Sequence, residues 1–335
     1  MCLAGKVVSM SSQVDFQKLK QHLQKVIVGQ EVLLDKMLIA LLTGGHVLLE
    51  GPPGLAKTTA VKTLSNGVHA SFQRIQFTPD LMPGDVMGAE VLDSNTGLLS
   101  FVKGPIFNDI VLADEINRAP PKVQSALLEA MAEKQVTAGG QTRPLPEMFL
   151  VMATQNPLEQ SGTYPLPEAQ LDRFMLHLVL DYPDEVEELE ILRRDRAHHF
   201  GEDKEQPSAF LTPETVLEAR HKVSEQFVSE AVEKYMVALV ASTRKLELVH
   251  PDLAGVLDVG ASPRASISLL HASSAYAWLQ GRDFVTPDDV MKLLPDVLRH
   301  RLSISFAGRA QGWTADAIIE KLIMETSIPI GEMSV

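Results

Sequence analysis

From about residue 14 to residue 182, short apolar runs of strand length alternate with segments of helical period and with turns rich in Gly and Pro. The runs fall at 46–50, 72–77, 110–113, 149–154 and 175–180. That alternation predicts a mostly parallel sheet covered by helices on both faces. Beyond Pro183 the strand pattern stops, and 184–198, 213–225, 229–243, 263–279, 287–299 and 314–324 predict helices. Thr212-Pro213, Ser262-Pro263 and Thr286-Pro287 each place a hydroxyl at the cap and a proline at the first helical position. The polar stretch 201–208 predicts a loop. The expected organisation is a flexible N-terminus over 1–13, an α/β domain over 14–183 and an all-helical domain over 184–335.

Composition narrows the picture. A chain of 335 residues, 45% hydrophobic and 22% charged, is ordinary globular material of about two domains. Thirty Lys+Arg against 43 Asp+Glu give a formal charge of −13, which disfavours a chain-wide basic surface for nucleic acid or anionic lipid. Cys2 is the single cysteine, so no intrachain disulfide forms and a reducing compartment fits best. The first residues lack the apolar core of a signal peptide, and no apolar run approaches the ~20 residues of a membrane span. A cytoplasmic location is the expectation. The acids of 184–190, followed by Arg193, Arg194 and Arg196, read as a helix dipole complemented at both ends. Adjacent His198 and His199 diverge by about 100° on a helix and make no chelating pair. Asp93-Ser-Asn-Thr-Gly97 reads as a hairpin turn, because its glycine comes one position early for a calcium loop.

The strongest chemistry follows the run at 46–50. Gly51, Pro52, Pro53, Gly54, Leu55, Ala56, Lys57 and Thr58 form a glycine-containing loop between a strand and a helix, the context of a phosphate loop. Backbone N–H groups and a helix N-terminus there offer a positive field to phosphate oxygens. Lys57 would pair with the β- and γ-phosphates, and the Thr58 hydroxyl would ligate Mg2+. Ala56 stands where the generic pattern has glycine; its methyl group is tolerable if the backbone keeps a negative φ. A second apolar strand ends in Asp114-Glu115. Asp114 would hold Mg2+ through its water shell, and Glu115 would orient and polarise the attacking water. Strands of open α/β sheets present ligands at their C-terminal edge, so both motifs should meet at one crevice. Asn156 ends a third buried strand; it reads as a contact to γ-phosphate or water, or as a simple strand stop before Pro157. Arg264 lies in the first turn of a helix, where a cation opposes the dipole; a nucleotide phosphate or a surface carboxylate would resolve the conflict.

Taken together these elements resemble the AAA+ ATPases, and within them the MoxR family. The motifs that carry the resemblance run through most of the chain. They are Val28-Gly29-Gln30, the Gly51 to Thr58 loop, Arg74-Ile-Gln-Phe-Thr-Pro-Asp80-Leu, Gly104-Pro-Ile-Phe and Asp114-Glu-Ile-Asn-Arg118-Ala-Pro-Pro-Lys. Ala153-Thr-Gln-Asn-Pro157, Leu166-Pro-Glu-Ala-Gln-Leu-Asp-Arg-Phe174 and Gly260-Ala-Ser-Pro-Arg264 complete the set. The resemblance implies a sheet of five parallel strands, a helical lid and an ATP/ADP site that includes Val28, Gly29 and Thr59. It implies that Asn156 is the first sensor, Arg264 the second, and Arg173 an arginine finger reaching a neighbouring subunit's γ-phosphate. Without the resemblance Arg173 reads as a surface ion-pair residue. Arg118 is a weaker candidate for an intersubunit contact. The finger role requires a homo-oligomeric ring, expected to be a hexamer. Two insertions, about 89–106 and 135–147, are similar to hairpins that face a central pore in related machines.

Three functions fit that resemblance. One is a chaperone-like motor that remodels or matures protein complexes, in some relatives by metal-cofactor insertion with a von Willebrand factor A domain partner. The others are a nucleic-acid motor related to helicases and a magnesium-chelatase-like motor subunit. The first hairpin contributes only Lys103 as a base and the second only Arg143, too few for a pore that grips phosphates. A protein client is therefore the expectation. A silent nucleotide switch is disfavoured, because Lys57, Thr58, Asp114, Glu115, Asn156, Arg173 and Arg264 are all present.

Overall fold

A computed structural model describes residues 2–92, 97–157, 162–199 and 210–328. The chain forms two compact units, one of Met1–Leu166 with Leu178–Glu218, the other of Pro167–His177 with Ala219–Val335.

The first unit is built on strands β1 (Val47–Glu50), β2 (Phe72–Gln76), β3 (Ile110–Asp114), β4 (Leu150–Gln155) and β5 (Leu176–Val179), the last of which enters from the second unit. Their order in the sheet is β2-β3-β4-β1-β5, and the pairs β2–β3, β3–β4 and β1–β4 are parallel. Burial on both faces explains why β1, β3 and β4 read as continuous apolar runs: Val47 to Leu49, Ile110 to Ala113 and Leu150 to Ala153 are all buried. Edge strand β2 is different. Its sequence Phe-Gln-Arg-Ile-Gln buries only Ile75, leaving Arg74 and Gln76 on one face at a two-residue period. Helix Glu31–Thr43 buries nine of its residues and stops at Gly44, whose φ of 66° is the left-handed cap.

Two antiparallel ribbons belong to this unit as well. Gly88–Leu92 pairs with Leu99–Lys103, and Gln135–Ala138 pairs with Gln141–Pro144. The turn read at Asp93 to Thr96 and the loop at 201–208 lie outside the described residues. Cys2–Val26 is one helix, and Phe16, Leu19 and Leu23, which recur along it at helical spacing, are fully buried.

The second unit is helical, with Glu230–Ser242, Pro263–Leu279, Pro287–Leu298 and Ala315–Glu325 around Trp278, Tyr235, Leu239 and Leu293. Ser262 caps its helix by accepting from Arg264 N at 3.2 Å. Thr286 accepts from Asp289 N at 3.4 Å while the Asp289 carboxylate accepts from Thr286 N at 2.8 Å, a reciprocal capping box. The buried Asp289 carboxylate is closed by Arg282, which donates two parallel bonds of 2.7 and 2.6 Å.

Two expectations change here. The strand pattern does not end at Pro183, since Leu257–Val259 and Ser303–Ile304 form a small antiparallel ribbon, too short to give a periodic signal. Nor do the compact units divide at 183–184. Helix Glu185–His199 clusters with the sheet, and Pro167–His177 clusters with the helices.

His300 is buried in the second unit, and its Nε2–H donates to the Phe174 carbonyl at 2.9 Å. Desolvation first, then the nearby Arg301 and His177, push its pKa well below the ordinary 6.5. The unfolded chain therefore binds a proton that the native unit rejects. Stability should fall as pH drops below about 6.5, because the unfolded imidazole charges there first. Thermal midpoints measured from pH 7.5 to pH 5 should show a shallower decline in His300→Gln, which keeps an N–H donor and cannot titrate.

Candidate active site

The site grows from the C-terminal ends of β1, β3 and β4, which lie side by side. Register pairs Glu50 with Gln155 and Ala113 with Ala153, so the three strands deliver their following residues to one edge. After β1 the chain turns at Gly51, where a Cβ would come within 2.7 Å of the Leu180 carbonyl; only glycine permits this approach. Gly54 has φ 87°. Pro53, Gly54 and Ala56 are exposed, Leu55 is buried beneath them, and Lys57 begins the helix Lys57–Gly67 that carries Thr58 and Thr59. Ala56 departs from expectation. Its φ is 52° and its ψ 22°, so the residue sits in the left-handed region and not at negative φ. The helix start demands a conformation that costs an alanine about 1–2 kcal/mol and a glycine nothing.

Lys57 Nζ donates to the Gly51 carbonyl at 2.6 Å, closing the loop on itself. Burial lowers the Lys57 pKa, while Asp114, Glu50 and Glu115 act in the opposite direction.

Both carboxylates of that pair are fixed from below and from the side. Thr154 Oγ1 donates to Asp114 Oδ1 at 2.6 Å and accepts from Glu115 N at 2.9 Å, so one hydroxyl of β4 holds a side chain and the next backbone. Arg74 donates to Asp114 Oδ2 from Nε at 2.9 Å and from Nη2 at 2.6 Å. The same Nη2 reaches Gln76 Oε1 at 2.7 Å, and Gln76 Nε2 donates to Glu115 Oε2 at 2.8 Å. Arg118 Nε lies 3.0 Å from that Glu115 oxygen. Glu115 itself is left-handed, with φ 58°. A non-glycine residue held there is strained by about 1–3 kcal/mol, and such strain clusters at working sites.

The remaining candidates fall in two places. Asn156 follows β4 directly, two residues beyond Thr154, and is half-buried. Val28 and Gly29 lie between helices Cys2–Val26 and Glu31–Thr43; Gly29 has φ 70° and sits against the Glu187 carboxylate. Arg173 and Arg264 belong to the second unit. Arg264 Nη1 is 3.8 Å from Asp172 Oδ2, so the surface carboxylate weighed for it is present, though at the limit of an ion pair. Roles for Arg74, Gln76 and Thr154 were missed. The signal was there: alternation at 74 and 76 puts two polar residues on one face, and a threonine ends four buried apolar positions.

Two family models match the chain. The model described as "ATPase family associated with various cellular activities (AAA)" covers residues 46–176, and "AAA lid domain" covers 254–322. "Chaperone MoxR1" of Mycobacterium tuberculosis is 44% identical over 309 residues, spanning 92% of this chain and 81% of that protein. The chain belongs to the MoxR family of AAA+ ATPases. "Protein MoxR" of Methylorubrum extorquens is 30% identical, covering 85% of this chain and 86% of its own length. A solved structure described as a "putative ATPase" from Cytophaga hutchinsonii superposes with a TM-score of 0.91 at 42% identity, covering 97% of this chain and 98% of that one. Nucleotide binding and the five-stranded parallel sheet with a helical lid are what MoxR-family membership carries.

Ala56→Gly should stabilise the nucleotide-free chain. Relief of about 1–2 kcal/mol of left-handed strain outweighs about 0.5–1 kcal/mol of added unfolded-state freedom. A urea titration should show the midpoint moving up, and an unchanged or lower midpoint would contradict the strain.

Proposed function

We propose that this chain binds ATP against residues 51–59, hydrolyses it with Asp114 and Glu115, and uses the cycle as a chaperone-like motor on protein complexes. The observation that carries the reading is that the Thr154-bonded pair Asp114 and Glu115 and the Gly51 loop closed by Lys57 lie at one sheet edge, at the ends of the two strands that flank β4, the loop leading into a helix N-terminus. Lys57 would exchange the Gly51 carbonyl for β- and γ-phosphate oxygens. Glu115, its backbone held by Thr154, would orient a water whose oxygen bonds to the γ-phosphorus as the bond to the bridging oxygen breaks and ADP departs. Asn156 would sense the γ-phosphate, with Arg173 supplied by the neighbouring subunit and Arg264 completing the charge around the phosphates. The Thr58 hydroxyl and the Asp114 carboxylate are the hard oxygen donors that Mg2+ takes, and the ion would neutralise phosphate charge when bound. Val28 and Gly29 would border the nucleotide.

Arg173 acting across a boundary calls for a homo-oligomeric ring, and we infer a hexamer working in the cytoplasm. A von Willebrand factor A domain protein as partner, and metal-cofactor insertion as the maturation step, follow from family resemblance. No described helix is long and apolar enough to cross a membrane.

A protein client is favoured over nucleic acid by how the hairpin bases are spent. The Arg143 guanidinium stacks 3.9 Å over the Phe101 ring and donates to the Ala138 and Gln141 carbonyls at 2.8 and 3.2 Å. Lys103 lies 5.4 Å over Phe107. The relative named a chaperone points the same way.

Lys57→Ala should abolish ATP binding in calorimetry. Glu115→Gln should keep ATP bound while turnover falls by about 100- to 10,000-fold; normal turnover would remove Glu115 from its role. Single- and double-stranded DNA, titrated from low to moderate salt, should leave the ATPase rate unchanged. Strong, salt-sensitive stimulation would replace the protein-remodelling reading with the nucleic-acid one.

A further inference from the structure

Within the second unit, Arg173 is bracketed by a clamp. Arg301 is buried, with its side chain only 2% exposed, yet it carries a full guanidinium. Every direction of that fork is used. Nε donates to Asp172 Oδ1 at 2.7 Å, and Nη2 donates to the carbonyls of Asp172 at 3.3 Å and Phe174 at 2.7 Å. Nη1 reaches the Met175 carbonyl at 3.3 Å and the Val297 carbonyl, and Nη2 also touches Ser268 Oγ at 3.2 Å. His300 adds a second bond to the Phe174 carbonyl. The backbone on both sides of Arg173 is therefore pinned by residues 300 and 301.

The other oxygen of Asp172 faces the helix that bears Arg264. Ser262 Oγ donates to Asp172 Oδ2 at 2.9 Å while accepting from Arg264 N at 3.2 Å. One hydroxyl thus joins the carboxylate before Arg173 to the helix start that presents Arg264, whose guanidinium is 3.8 Å from the same oxygen. Arg301 is buried and Asp172 half-buried; such a pair is weak evidence for stability, which leaves the fixing of geometry as the role to test. Burial lowers the Arg301 pKa and Asp172 raises it again.

We infer that Asp172, clamped by Arg301 and tied to Ser262, is a positioning residue that sets Arg173 and the Arg264 helix start in one fixed arrangement. The inference rests on the reading of Arg173 as a finger acting on a neighbouring subunit's nucleotide. Misplacing a transition-state contact by 1 Å through such a support costs about 100-fold in rate. A finger that touches the nucleotide only during turnover changes kcat and leaves ground-state binding alone.

The experiment uses the full chain. Asp172→Asn keeps the shape and removes the charge that holds Arg301. Its kcat should fall by about 100-fold while KM for ATP stays within about threefold. Mixed with Glu115→Gln subunits, which carry an intact Arg173, it should regain activity well above the sum of the two alone. A general folding defect would not be repaired by a neighbour. Arg173→Ala in the same mixture is the control. If that control regains nothing, the finger reading fails; if it regains activity and Asp172→Asn either keeps wild-type kcat or is not repaired, the positioning inference is overturned. Should Asp172→Asn fail to fold by circular dichroism, Arg301→Lys decides by the same mixture, because it retains the charge and loses the planar fork.

Discussion

The structure turns on a single hydroxyl. Thr154 donates a hydrogen bond to the Asp114 carboxylate and accepts one from the Glu115 amide, tying two adjacent acids to the central strand of the sheet. Two carboxylates side by side at a strand end repel each other and seek water. Here Thr154 and Arg74 hold the Asp114 carboxylate, Gln76 and Arg118 hold that of Glu115, and the Glu115 backbone, bonded to Thr154, is left-handed. The phosphate loop, the apolar strands and the order β2-β3-β4-β1-β5 serve to bring a lysine and a helix start to that pair.

Much of this was legible in the sequence, for a physical reason. Strands covered on both faces are apolar throughout, so β1, β3 and β4 announce themselves, and a polar residue that ends such a run must lie at the sheet edge. That is why the positions of Asp114, Glu115 and Asn156 at strand ends are legible in the sequence alone. Hydroxyl-proline pairs marked the helix starts of the second unit just as directly. Arg264 drew notice as a cation in a first helical turn, whereas Arg173 came from the family motif alone.

What stayed hidden depends on partners distant in sequence. Arg301 carries no local signal of burial; its partner is Asp172, 129 residues away. Arg74 and Gln76 gain meaning only once β2 is known to lie beside β3. The sign of φ at Ala56 could not be read either, because alanine at that position gives no warning that the turn needs a left-handed residue. The division between units was misplaced for a related reason: helix Glu185–His199 has the local signature of its successors, and only packing assigns it to the sheet.

Arg74 leaves one more consequence. The Asp114 oxygen that points away from Thr154 already holds a guanidinium on a long, partly exposed side chain. The protein thereby keeps the acid at the end of its edge-adjacent strand compensated from the neighbouring strand, so that pairing of β2 with β3 and neutralisation of Asp114 are one and the same event in folding.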